Sequence, residues 1–158
     1  MNNDTRLAVG SHILALLALV EGEYITSELL ARSVSTNAVV IRRLISQLKK
    51  AGLVEVRPGV GGATLLLPSE KITLLDVYQA VIPKSSACPF YLHQHPSSKC
   101  FVGKNIHDAL EIPFAKVNQA MLDSLTTTTI ADIAAFIKTR LDADKPIGII
   151  DKNVTNTL

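Results

Sequence analysis

Only Ser35 and Thr36 separate two segments of helical periodicity, and that short link restricts the fold more than any other feature of the chain. The second segment sets the pattern. Val40, Ile41, Leu44, Ile45 and Leu48 recur as one apolar stripe, with Arg42, Arg43, Ser46, Gln47, Lys49 and Lys50 on the other side. Thr36 or Asn37 is placed to cap its start. Gly52 is placed to stop it, and Lys49 and Lys50 suit the negative end of the helix dipole. The preceding segment, Ser27 to Val34, is too short to stand alone and must pack on its neighbours. So short a link permits nothing but a sharp turn, which makes the pair a helix-turn-helix.

After Gly52 the period changes. Leu53, Val54 and Val56 begin a β-rich run, Pro58 to Gly62 breaks it, and Thr64 to Leu67 resumes it. Two strands around a glycine-rich tip form a wing, and such a tip lets backbone amides approach a phosphate without a side chain in the way. The expected fold is mainly α with a small β-hairpin wing, a winged helix-turn-helix.

Charge is concentrated in the same stretch. Residues 32–57 hold six basic groups (Arg32, Arg42, Arg43, Lys49, Lys50, Arg57) and one acidic group (Glu55), a balance of +5, whereas the whole chain is +2 and the remainder therefore −3. A solvated helix face accounts for a charge run by itself. Joined to this spacing and a glycine wing, it points to double-stranded DNA as the partner.

From about Thr5 to Ile133 the chain resembles the Rrf-two (Rrf2) family of bacterial winged-helix transcription regulators, which includes IscR-like, NsrR-like and YwnA-like proteins. The blocks that carry the resemblance are Thr36 to Val54, Arg57 to Leu65, Ile72 to Val81 and Cys100 to Leu110, and their order and spacing are specific together. YwnA-like members are the most similar, sharing the style of the recognition helix. The resemblance implies a long dimerisation helix and a sensor loop ahead of it.

Along the chain, 158 residues at 47% hydrophobic can bury one good core and a small second unit. Residues 5–20 read as a helix apolar nearly all round and hence central, with Arg6 at its start within reach of a DNA backbone phosphate and His12 as a packed or half-exposed side chain. No signal-peptide pattern is present, and the longest apolar run, Ile13 to Val20, is too short to span a bilayer. A cytoplasmic location with reduced thiols and no membrane partner is expected. Thr73 and Asp76 have the form of a capping box opening a helix that Pro83 ends, so residues 1–82 are expected to form the DNA-binding domain.

Residues 83–103 are irregular and form the expected sensor or linker loop. Residues 104–141 return to helix. Ile106, Leu110, Phe114, Val117, Met121 and Leu125 make one apolar seam suited to pairing with a second copy, and Pro113 is expected to kink or break it. Thr129 and Asp132 form another capping box, opening a helix expected to pack back on the DNA-binding domain. Residues 142–158 lose the pattern and form a flexible tail.

In the iron–sulfur members of the family, three cysteines occupy this loop. Cys88 and Cys100 match the outer pair, but the middle position holds Gln94, a poor cluster ligand, and a further ligand position falls at Gly103. No iron–sulfur cluster is expected, and no other cofactor. Cys88, His93, His95 and Cys100 include two sulfurs and two imidazoles, acceptable zinc or copper ligands. The two cysteines also suit a thiol switch, and the plainest alternative is that they are structural.

The expected function is that of a homodimeric transcription regulator, a repressor on a partly palindromic operator, answering redox or a small-molecule effector. Thr36 and Asn37 at the start of the recognition helix, Val39, Arg42 and Arg43 along it, and Arg57, Gly61 and Gly62 of the wing are the candidate DNA contacts. The alternative is a winged-helix protein-interaction module without DNA affinity. No catalytic motif argues for an enzyme.

Overall fold

The computed structural model describes residues 5–57, 61–83 and 90–143. Its first helix, α1 (Arg6–Leu19), buries Gly10 and every residue from Ile13 to Leu17. A helix covered on so many sides is a central post, and the elements that follow pack around it.

Thr26 caps α2 (Ser27–Val34), its hydroxyl accepting from the Leu29 N–H at 3.3 Å. The turn then depends on Ser35, whose left-handed φ of 56° lets the Thr36 N–H reach the Ala31 carbonyl at 2.9 Å. Asn37 opens α3 (Ala38–Lys50) by accepting from the Val39 N–H at 2.7 Å. Ile41, Leu44, Ile45 and Leu48 of α3 are buried as the stripe requires. Val40 departs from it and is 45% exposed. At about 100° per residue it precedes Ile41 by more than a quarter-turn, off the axis defined by the other four.

Gly52, at φ 74°, ends α3 and turns the chain into β1 (Val54–Val56). β1 pairs antiparallel with β2 (Ala63–Leu65), Val54 opposite Leu65 and Val56 opposite Ala63. Ile25 adds a bridge to Ala63, so the wing is tied to the segment just before α2. The second strand ends at Leu65, shorter than the sequence suggests; the Leu66 N–H still reaches the Leu53 carbonyl at 3.0 Å, but the side chains of Leu66 and Leu67 lie exposed.

Two capping boxes meet across the base of the domain. Thr73 and Asp76 open α4 (Leu74–Val81) and Thr129 and Asp132 open α6 (Ile130–Ala143), each threonine exchanging bonds with its aspartate. Their backbones also cross-pair, Leu74 N–H to Thr128 carbonyl at 2.9 Å and Ile130 N–H to Ile72 carbonyl at 2.8 Å. Ile130 thereby enters the same core as Ile13, Leu30, Ile41 and Val77, and α6 packs back along α1.

Between them lies α5 (Phe101–Thr126), which starts ahead of the expected Lys104 and continues through Pro113 without a break. Proline removes one backbone donor there, and on an exposed stretch water can take up the freed carbonyl. No residue of α5 is buried. Ile106, Leu110, Phe114, Met121 and Leu125 are half-buried, while Val117, Phe101, Val102 and Ile112 are exposed. No described helix is long and apolar enough to cross a membrane.

Candidate DNA-binding face

The side of α3 opposite its buried stripe carries Val39, Val40, Arg42, Arg43, Ser46, Lys49 and Lys50, all exposed. Val39 is 65% exposed. One exposed valine would be ordinary, but Val40 stands beside it, so two adjacent apolar side chains face outward at the start of the helix. Sequence periodicity assigned Val40 to the core, so its place on this face was missed.

Arg42 is held. Its Nη2 donates to Glu28 Oε1 at 2.5 Å and its Nε to Ser27 Oγ at 3.2 Å, both partners lying in the first turn of α2. The Arg42 guanidinium in turn keeps the Glu28 carboxyl below its ordinary range. Arg43, its neighbour, is exposed and takes no ion pair among the described residues. Glu28 lies outside the basic stretch of sequence, which is why its arrival on the face was not foreseen.

A cleft of about 340 Å³ separates α3 from the wing, bounded by Arg42, Ser46 and Lys49 on one side and Gly61 and Gly62 on the other. Gly62 has a φ of 107°, and a Cβ there would stand 3.0 Å from the Cβ of Tyr24, so both backbone and space favour glycine. Tyr24 also carries the Arg57 guanidinium over its ring, 4.6 Å from the centroid. Pro58 to Val60, the rest of the tip, lie outside the described residues.

The other candidates fall as follows. Asn37 spends its side-chain carbonyl on capping α3, which leaves its amide NH2 as the outward group. Thr36 is half-buried in the turn, and Arg6 is half-buried at the N-terminus of α1. His12 is exposed and bonds Ser33 Oγ at 3.0 Å.

The loop ahead of α5 folds back along that helix. Phe90 and Phe114 are 6.1 Å apart in a tilted pair, and Asn118 donates to the Phe90 carbonyl. His93 meets His107 edge-on at 5.6 Å, and His107 Nε2 lies 2.7 Å from the His93 carbonyl. His95 sits at a positive φ of 57°. Cys100 is exposed at the N-cap of α5, where the amides of Gly103 and Val102 hold its thiol below the ordinary value. Cys88 lies outside the described residues, so the arrangement of Cys88, His93, His95 and Cys100 as a set does too. Among the described residues no three histidine, cysteine or acidic side chains converge as metal ligands.

Against known proteins, residues 3–135 match the Rrf2 family, described as iron-dependent transcriptional regulators. A protein of Bacillus subtilis provisionally named HTH-type transcriptional regulator YwnA is 43% identical over 130 residues, 82% of this chain and 95% of that protein. The crystal structure of a provisionally assigned DNA-binding protein, 41% identical, superposes with a TM-score of 0.65, covering 81% of this chain and 97% of that one. That of a provisionally assigned transcriptional regulator from Lactobacillus plantarum, 25% identical, gives 0.69, covering 89% of this chain and 99% of that one. Of the positions that the resemblance sets against the cluster ligands, 94 holds a glutamine, 103 a glycine and 100 a cysteine, while Cys88 lies outside the described residues.

Proposed function

The chain belongs to the Rrf2 family of transcriptional regulators, and from that membership we propose how it meets its operator. It is a DNA-binding transcriptional regulator and not an enzyme. It acts in the cytoplasm as a homodimeric repressor on a partly palindromic operator, without an iron–sulfur cluster. α3 enters the major groove with its N-terminal residues nearest the base edges. Val39 and Val40 lie against thymine methyl groups, Arg42 and Arg43 reach guanine or phosphate, and the Asn37 amide donates to a base acceptor. Arg6 and Thr36 bind backbone phosphate, as do Arg57, Gly61 and Gly62 of the wing at the edge of the minor groove.

The observation that carries this assignment is the exposed arc of Val39, Val40, Arg42, Arg43 and Ser46 on a helix whose opposite side is fully buried. Those side chains are positioned by the core without contributing to it. The dimer follows from α5, whose row from Ile106 to Leu125 no described element buries. Pairing it with a second copy would set the spacing of the two recognition helices. The loop ahead of α5 receives the signal, through oxidation of Cys88 and Cys100 or through a small effector, and shifts that spacing.

The test is a titration of a duplex selected from a random-sequence pool. Wild-type affinity should fall steeply as salt rises, because neutralised phosphates release counterions. Arg42→Ala with Arg43→Ala should abolish specific binding without unfolding the protein, since neither side chain touches the core. Salt-insensitive binding, or full affinity in the double variant, would overturn the assignment.

A further inference from the structure

Arg42 is tied to the neighbouring helix along one edge only. Of the five N–H groups on a guanidinium, the Nε–H and one Nη2 hydrogen lie along the side edge, and these go to Ser27 and Glu28. The end edge, Nη1 with the other Nη2 hydrogen, takes no hydrogen bond among the described residues. That end edge is a fork of two parallel donors, the shape that matches the O6 and N7 acceptors of guanine in the major groove.

The pair does little for stability. Arg42 and Glu28 are 58% and 53% exposed, and a surface ion pair of this kind contributes little to stability. Its electrostatic effect on the face is larger than its effect on the fold. A carboxylate beside a recognition helix repels phosphate, and the arginine that covers it is neutralised as a phosphate ligand. A side chain so arranged is badly suited to non-specific attraction and well suited to fixed hydrogen-bond geometry.

We propose that Glu28 is a specificity-determining residue: with Ser27 it positions Arg42 to read one guanine in each half-site, and it withholds Arg42 from the phosphate backbone. The assignment rests on α3 being the DNA-contacting helix. Glu28 is a positioning residue and acts through Arg42. The two adjacent arginines divide the work, Arg42 held for a base and Arg43 left to follow the backbone. Pre-forming the fork also lowers the ordering cost that a long, free side chain would otherwise bring to the complex.

Position and charge can be separated by two substitutions. Glu28→Gln keeps an acceptor for Arg42 but removes the carboxylate charge, whereas Glu28→Ala removes both. The probes are the duplex that the wild-type protein selects from a random pool, the same duplex with each G·C pair changed singly to A·T, and a scrambled duplex of equal length. Wild type should lose roughly tenfold or more in affinity at one G·C position per half-site, the worth of a bidentate arginine–guanine contact. Glu28→Ala should bring that ratio close to one, raise affinity for the scrambled duplex, and steepen the salt dependence by about one phosphate contact. Glu28→Gln should raise scrambled-duplex affinity in the same way yet keep most of the discrimination.

The double variant decides the sign. Arg42→Ala leaves the Glu28 carboxylate uncovered against DNA, so Glu28→Ala added to Arg42→Ala should restore part of the lost affinity. Undiminished guanine discrimination in Glu28→Ala, or no gain in the double variant, overturns the role of Glu28 while leaving α3 as the DNA-contacting helix. Failure of the wild-type protein to select any duplex, or selection insensitive to salt, overturns both.

Discussion

The Arg57 guanidinium lies over the ring of Tyr24, 4.6 Å from its centroid, while the Tyr24 hydroxyl donates to Glu55. Glu55 and Arg57 are two apart in sequence at the same end of the hairpin, and their opposite charges would otherwise favour a mutual ion pair. Tyr24 separates them. Its hydroxyl occupies the carboxylate, which raises the tyrosine above its ordinary value of 10.0, and its ring carries the cation. Arg57 is thus held in place on the wing by a contact that does not cancel its charge.

Removing the ring should therefore be felt on DNA. Tyr24→Leu is expected to weaken operator binding by roughly two- to fivefold, the worth of an exposed cation–π contact of about 0.5–1 kcal/mol. Tyr24→Phe should lose less, because the face under Arg57 remains. Fluorescence anisotropy on a fixed duplex at one salt concentration measures both. Equal losses in the two variants would mean that the hydroxyl, not the ring, positions the wing.

The seam on α5 predicts the assembly. Replacing Leu110 by glutamate puts an unpaired charge into a face otherwise made of Ile106, Phe114, Val117 and Met121. Sedimentation should show the dimer weakened at least ~100-fold, about 2.8 kcal/mol, with weak binding to a half-site. If Leu110→Glu remains dimeric at unchanged stability, the copies meet elsewhere.

Stability should respond to the paired capping boxes. Thr73→Ala removes the acceptor for the Asp76 N–H and should cost about 1 kcal/mol in denaturant unfolding. Asp132 adds a pH dependence. Hydrogen bonds from the Thr129 amide and hydroxyl hold its carboxyl below the ordinary 3.8. A lowered folded-state value stabilises the protein above the unfolded-state value, and that contribution disappears as pH falls through the folded one. Asp132→Asn should therefore make stability less pH-dependent below about pH 4, as equilibrium unfolding at several acidic pH values would show.

What the chain disclosed in advance was mostly local. The turn at Ser35, the Asn37 cap and both threonine–aspartate boxes depend on neighbours within a few residues, so their spacing is visible in sequence. The contacts that bring distant residues together were hidden. Glu28 reaches Arg42 and Tyr24 reaches Arg57 only once α2 and the wing are packed, and no periodicity records either meeting. His93 meets His107 for the same reason, because the loop runs back along α5. At Pro113 the helix runs on without the break that the sequence allowed, because on an exposed stretch solvent can take up the carbonyl that proline frees.

Cys100 offers a test of the loop that needs no operator. Its sulfur stands at the N-cap of a long helix, where the nearby Gly103 and Val102 amides lower its pKa and favour the thiolate. The thiolate is the reactive form, so a lowered value moves the rise in alkylation rate to lower pH. In a Cys88→Ser background, where Cys100 is the only thiol of the chain, iodoacetamide should react with a midpoint below that of free cysteine, near 8.5. Gly103→Ala should raise the midpoint again, because a Cβ there would stand 2.4 Å from the Ser97 carbonyl and must displace the first turn or the loop. A midpoint at the free-cysteine value in the parent, or no shift in Gly103→Ala, would show that the helix terminus does not activate this thiol. Its part in a redox response would then have to come from Cys88.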